Sequence, residues 1–144
     1  MNEKLLNMLG LMRRACAIEI GESAAGSACR EGKTKILLLA SDASDNARRR
    51  AEGFGAGHNL VILRLPFPKE ELSAHLGLGG CSMAAITDIG FANAFIKSLS
   101  QAYPGEYDTE QAEVEQRFSK AKRRKEETAA RGRNKRIGKR RTNV

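Results

Sequence analysis

The sequence predicts an α/β fold, a layered α/β/α sandwich over residues 1–102, and three observations carry that reading. Ile36, Leu37, Leu38, Leu39 and Ala40 follow one another with no polar interruption, the pattern of a strand buried on both faces and too short for a helix. Stretches of helical apolar spacing lie on both sides of this run, as a strand covered above and below requires. Helical and extended patterns then alternate along the chain, and four short strands with five helices fit. Ligands of open α/β sheets gather where a strand ends and the next helix begins. The polar turn 41–46 (Ser41, Asp42, Ala43, Ser44, Asp45, Asn46) is therefore the first place to look for function.

Taken in order, Leu5, Leu9, Met12 and Cys16 recur at helical spacing, with Leu6 and Met8 widening the stripe, which predicts a helix over 3–15. Residues 17–20 form a short strand, and Gly21-Glu22-Ser23 opens a second helix running to about Arg30. Its apolar positions (Ala24, Ala25, Ala28, Cys29) are small and let the backbone sit close to what it covers, and Gly32 stands where a C-terminal cap is expected. Residues 45–53 make a third helix bearing Arg48, Arg49 and Arg50, and Gly53, Gly55 and Gly57 make a flexible turn. Residues 60–63 are the next buried strand. Pro68 suits the first turn of a helix whose positive end favours Glu70 and Glu71 and which ends at Gly77. A loop over 78–81 leads to a last strand, 83–86, and Thr87 and Asp88 are good caps for a helix carrying Phe91, Phe95 and Leu99. Pro104-Gly105 punctuates the end of the body.

Charge divides the chain. Residues 1–116 hold 12 Lys/Arg against 15 Asp/Glu, a net of −3, whereas 117–144 hold 13 against 2, a net of +11. The reading is thus a folded body, 1–102, and a charged, helical to disordered basic tail, 103–144. Residues 108–125 are helix-compatible, with Glu113–Arg117 and Lys122–Glu126 at four-residue spacing but few apolar residues (Val114, Phe118). They read either as a solvated helix or as one that orders on binding; 131–144 reads as disordered. Three widely spaced cysteines (Cys16, Cys29, Cys81), read as core or near-core residues, show neither metal spacing nor a disulfide framework. With no signal peptide and no apolar run of membrane-spanning length, a reducing, cytoplasmic setting is expected.

Several tempting motifs fail. Gly32-Lys33-Thr34 resembles the end of a phosphate-binding loop, but position 27 is Ser27 and the triplet precedes a strand instead of opening a helix. Gly53-Phe54-Gly55-Ala56-Gly57 follows a helix, which excludes the dinucleotide fingerprint. Asp42 just past a buried strand suggests a phosphoacceptor, yet no matching acidic pair precedes it, so capping or turn formation accounts for it better. The two histidines, His58 and His75, form no catalytic set with a cysteine or serine. No enzyme constellation, cofactor or metal site is read. The basic end is different: Lys122, Arg123, Arg124, Lys125, Arg131, Arg133, Lys135, Arg136, Lys139, Arg140 and Arg141 make an electrostatic footprint for phosphate backbones, which gives affinity but little sequence choice.

Gly21-Glu22-Ser23, the run Arg30-Glu31-Gly32-Lys33-Thr34-Lys35 with the strand and turn that follow it as far as Ser44, Lys69-Glu70-Glu71-Leu72, and Ala85-Ile86-Thr87-Asp88-Ile89-Gly90-Phe91-Ala92 resemble the kink-turn-binding ribosomal protein family. That family is the archaeal L-seven-Ae and eukaryotic L-thirty-e group, and within it the likeness is to the small bacterial YlxQ-like branch. The resemblance covers about residues 4–100 and implies a mixed four-stranded sheet. It also implies RNA contact at the start of the second helix (Gly21, Glu22, Ser23, Ser27), the turn after the central strand (Asp42, Ser44, Arg48) and the loop before the last strand (Leu78, Gly79, Gly80). Lys69 falls where a family lysine approaches the RNA backbone, and Arg30 and Lys33 are counted with these residues. Ser23, Ala24 and Ser27 stand where the family's kink-turn readers carry an Asn-Glu pair and a Lys, Glu31 where they carry a basic residue, and Ser44 where they carry a Glu.

The expectation is a non-enzymatic protein that binds a structured, ribosomal-type RNA, the body supplying shape recognition and the tail phosphate affinity. The alternative is an interaction module for a ribosome-assembly or RNA-processing partner, its own RNA site degenerate.

Overall fold

The structure is a computed structural model of the 144-residue chain; it describes residues 2–55, 60–77 and 82–142, of which residue 2 and 132–142 are described as backbone. Strand β2 (Ile36–Leu39) lies inside a four-stranded sheet with β1 (Ile18–Ile20), β3 (Val61–Arg64) and β4 (Met83–Ile86), in the order β1-β4-β2-β3. β2 runs parallel to β3 and antiparallel to β4, and β4 is antiparallel to β1 as well, so the sheet is mixed. Every residue of β2 and β4 is buried, which follows from their inner positions: both backbone edges are paired and both faces are covered.

Alternate residues of β2 feed two cores. Leu37 and Leu39 join Ala25, Ala28 and Cys29 of α2 (Glu22–Arg30) and Ala51 of α3 (Asp45–Gly55) on one face. Ile36, Leu38 and Ala40 join a larger core on the other. That core takes Leu5, Leu9 and Met12 from α1 (Asn2–Arg14), Leu72 and Leu76 from α4 (Lys69–Leu76), and Phe95 and Leu99 from α5 (Ile89–Ala102). Each such fully buried side chain contributes about 1.5–3 kcal/mol. The small residues of α2 do what their size predicts: a Cβ placed on Gly26 would lie 2.8 Å from Phe54 Cζ, so the Phe54 ring packs directly over Gly26 and would have to shift to admit a side chain there. α2 ends in a Schellman motif, with Gly32 N–H donating to Cys29 O (3.1 Å) and Lys33 N–H to Ala28 O (2.9 Å). Asp88 caps α5 by accepting from Phe91 N–H at 2.9 Å.

The structure departs from the sequence reading in several places. Of the basic segment expected to be disordered over 131–144, residues 131–142 continue a single helix, α6 (Asp108–Thr142), and 143–144 lie outside the described residues. Ala, Glu, Gln, Lys and Arg dominate it, all strong helix formers, and Glu113 pairs with Arg117 one turn on. The first third of α6 is not solvated all round: Val114 is fully buried and, with Tyr107 just before the helix, belongs to the main core, while Asp108, Thr109, Ala112, Glu113, Glu115 and Gln116 stay exposed. Cys16 is exposed, with φ 56° just beyond α1, instead of completing that helix's apolar stripe; Cys29 is buried as expected. α3 extends to Gly55, so Gly53 and Gly55 are helical, and residues 56–59 (with Gly57 and His58) lie outside the described residues. β3 is an edge strand with an exposed Arg64, only half as buried as its apolar run suggests. Among the described residues no helix is long and apolar enough to cross a membrane.

The start of α6 is pinned to that edge strand. Tyr107 Oη donates to Arg64 O at 2.8 Å, and burial pushes the phenol up to about 12. A raised phenol pKa stabilises the fold below the unfolded value near 10, and that contribution is lost as pH rises from about 10 through 12. Tyr107→Phe is therefore expected to cost about 1 kcal/mol at neutral pH and to flatten the alkaline fall in stability, read by denaturant unfolding at stepped pH. Val114→Ala is expected to cost about 1.5–3 kcal/mol, similar to Val61→Ala in the strand; a cost near zero in urea unfolding would mean that α6 does not share the core.

Candidate functional site

The sheet register brings three connections to one end. β1 and β2 both flank β4 in antiparallel fashion, so both finish beside the start of β4: Gly21 N–H donates to Met83 O (2.9 Å) and Ala40 N–H to Ser82 O (2.9 Å). The first turn of α2, the β2–α3 turn and the approach to β4 therefore share one pole of the sandwich. Gly21 has φ 93°, the left-handed region open to glycine, and turns the chain sharply into α2. As N-cap it offers no side chain to the N–H groups of the first turn, which leaves backbone donors at a helix start available to an anion or a base edge.

The β2–α3 turn is held from every side. Ser44 Oγ accepts from Ala47 N–H (3.1 Å) and caps α3; Asp42 Oδ1 accepts from Lys69 N–H (2.8 Å) and caps α4. Ser41 N–H donates to Phe67 O (3.0 Å), and Arg64 Nη2 donates to Ser41 O (2.7 Å). Arg48 and Arg64 line a small notch at this turn, beside Ala43 and Asp45, with Arg48 Nη2 4.0 Å from the Asp45 carboxylate. Along the side of α2, Glu22, Ser23, Gly26, Arg30, Arg50 and Phe54 line a shallow groove of about 370 Å³. In it Arg50 is paired with Glu22, and Arg30 Nη2 donates to Ser27 Oγ at 3.3 Å.

Of the residues expected at an RNA-contacting surface, the structure gathers Gly21, Glu22, Ser23, Asp42, Ser44, Arg48 and Lys69 at this pole. Ser27 and Arg30 lie further along α2. Lys33 does not join them: it sits at the other pole, before β2, paired with Glu31 at 2.9 Å. The hydrogen bond to Lys33 holds the Glu31 carboxyl below its ordinary value and lifts the Lys33 ammonium in return. Leu78, Gly79, Gly80 and Cys81 lie outside the described residues. Lys122, Arg123, Arg124, Lys125 and Arg131 are exposed on α6, and Arg133, Lys135, Arg136, Lys139, Arg140 and Arg141 follow on the same helix. Sequence reasoning misses Arg64 and Arg50. Arg64 becomes visible only from the parallel pairing of Leu39 with Arg64, and Arg50 is distinguishable from Arg48 only by which side of α3 faces α2.

A mixed sheet of this order between two helical layers, with polar turns gathered at one pole, defines the class: a small α/β/α sandwich protein. A solved structure titled as a protein with unknown function from Bacillus halodurans C shares the fold, with a TM-score of 0.58 over 64% of this chain and 92% of that one at 22% identity. No protein-family model matches the chain. It is 31% identical over 96 residues to the RNA-binding protein YlxQ of Bacillus subtilis (strain 168), covering 64% of this chain and 91% of that protein. It is 29% identical over 90 residues to the RNA-binding protein YlxQ of Enterococcus faecium, covering 62% and 85% respectively. The chain belongs to the YlxQ family.

The cap made by Asp42 predicts a structural signature. Asp42→Ala is expected to cost about 0.5–2 kcal/mol, as other caps do, and Asp42→Asn, which keeps an acceptor, only a small part of that. Thermal unfolding of the two variants reads the difference; equal losses would mean that the negative charge, not the hydrogen bond, is what the turn requires.

Proposed function

We propose that the protein is a non-enzymatic RNA-binding protein whose body meets a structured RNA of the ribosomal kind at the Gly21–Asp42–Lys69 pole. The basic end of α6 adds sequence-independent phosphate affinity. The observation that supports this most is the gathering, in a chain whose relatives are named RNA-binding proteins, of an uncapped helix start, a rigid polar turn and the cations Arg48, Arg64 and Lys69. Backbone donors and arginines at the rim suit a bent RNA surface read by shape. The side chains here do not suit the reading of guanine edges: Ser23, Ala24 and Ser27 are short, Glu22 is committed to Arg50, and Ser44 to its cap. In this reading a kink-turn is recognised as a bent backbone, and its bases contribute little.

The test is a titration at two salt concentrations with three RNAs: a kink-turn, the same RNA with its G·A pairs replaced so that the bend is lost, and a plain duplex. The full chain and a chain ending at Ala130 are compared. The kink-turn is expected to bind best to both proteins, with lower affinity and a shallower salt slope for the shorter one. Each neutralised phosphate accounts for about 0.7–0.9 of the slope, so Arg48→Gln/Arg64→Gln is expected to lower it by roughly 1.4–1.8. Equal binding of all three RNAs, abolished in the shorter chain, would refute the role of the body.

A further inference from the structure

The cations of α6 are not all on a free arm. α6 packs against α5 and passes the opposite pole of the sandwich, where Lys35 N–H donates to Ile86 O (2.7 Å) at the start of β2. There Thr34, Lys35, Ile89, Arg117, Lys120 and Arg124 line a groove of about 290 Å³. Among the described residues no carboxylate lines it. Arg117 is paired with Glu113 along the helix and is held in place by that pair; Lys120 and Arg124 are exposed and Lys35 half-buried. Lys120 and Arg124 are four residues apart, one turn of helix, and so share a face with Arg117. Thr34 Oγ1 on the groove wall has no hydrogen-bond partner among the described residues, and a buried hydroxyl is ordinarily paired. β2 spans about 13 Å, so this groove and the Gly21–Asp42 pole are separated by at least that length.

We propose that this groove, assembled from the α2–β2 loop and the middle of α6, is a second phosphate-contacting surface that takes the backbone of another segment of the same RNA. The proposal rests on the RNA-binding reading above and adds to it a place and a geometry. Three cations, Lys35, Lys120 and Arg124, converge on an opening that no described carboxylate lines, which favours a polyanion over a protein surface of mixed charge. The two surfaces lie at opposite ends of β2, so an RNA that occupies both reaches along the body. The chain then bridges two segments of a folded RNA.

The test uses the full chain and the triple variant Lys35→Gln/Lys120→Gln/Arg124→Gln. A second triple variant, Lys4→Gln/Arg14→Gln/Lys97→Gln, removes the same charge from α1 and α5. Each is titrated with the plain RNA duplex and the kink-turn RNA between about 50 and 200 mM salt. Removing three cations that each neutralise a phosphate lowers the log–log slope by about 2.1–2.7, so the advantage of the unaltered chain over the groove variant should shrink roughly 20- to 40-fold across that range. The control variant is expected to keep nearly the full slope, and the groove variant to keep its preference for the kink-turn over the duplex. If the unaltered chain binds neither RNA, the RNA-binding reading itself falls. If it binds and the groove variant matches it or the control in slope, the groove alone is overturned. Circular dichroism of the groove variant guards against misfolding, and if it is unfolded, Lys120→Gln/Arg124→Gln on the exposed face of α6 carries the same comparison with a slope change of about 1.4–1.8.

Discussion

β2 is the constraint from which the rest follows. A strand with no polar residue at Ile36–Leu39 can hide neither face from water without a helical layer on each, and its backbone groups need a partner strand on either side. Both demands are met together: β3 and β4 take the two edges, and successive side chains enter two separate cores. The cost of such burial is that the chain must turn sharply back to solvent where the strand stops. That turn cannot be loose, because Ala40, fully buried, is immediately followed by polar residues. Ser41, Asp42 and Ser44 are accordingly fastened to Arg64 and Phe67, to α4 and to α3. The rigidity of the candidate surface is thus inherited from the core beneath it.

The same economy explains what that surface presents. α2 lies against a sheet face through Ala25, Gly26, Ala28 and Cys29, and its closeness to α3, with Phe54 over Gly26, leaves little depth for long side chains between them. Near the pole Ser44 and Asp42 are engaged as caps and Glu22 in the pair with Arg50. Guanidinium groups at the rim and peptide N–H groups at the start of α2 stand among the groups left to face a partner. Both are donors, and an acceptor-rich backbone complements them better than a mixed set of base edges does.

Much of this architecture is legible in the sequence alone. The doubly buried strand, the cap at Asp88, the stop at Gly32 and the small-residue face of α2 each rest on local chemistry, and each is where local chemistry puts it. Asp42 is legible as a cap too, although its partner, the Lys69 N–H 27 residues on, is not. What stays hidden depends on pairing between distant segments. β3 is an edge strand because β4 inserts beside β2, and Arg64 reaches Ser41 only in that register; nothing in the run Leu60–Val61–Ile62–Leu63–Arg64 announces it. Lys33 reads with the residues expected to contact RNA because it is adjacent in sequence to Gly32 and the strand, yet α2 carries the chain from one pole to the other before Lys33 is reached.

α6 defeats the sequence reading for a different reason. Low hydropathy and high charge argue for disorder beyond residue 130, and they are sound guides to whether a segment can build its own core. They say less about a segment that borrows one. A single fully buried Val114, with Tyr107 bonded to the edge strand, anchors the start of the helix. From there helix propensity, at little cost per residue for Ala, Lys, Arg, Glu and Gln, carries it onward. The consequence bears on binding. Cations on a disordered arm lose conformational entropy when they settle on phosphates, whereas Arg117, Lys120 and Arg124 are already arrayed on one helical face beside Lys35, so less of the Coulomb attraction is offset by ordering. A helix that begins in the core and ends in a run of arginines therefore extends the body's own surface, and the charge asymmetry of the chain becomes a matter of where on the fold the positive charge is held.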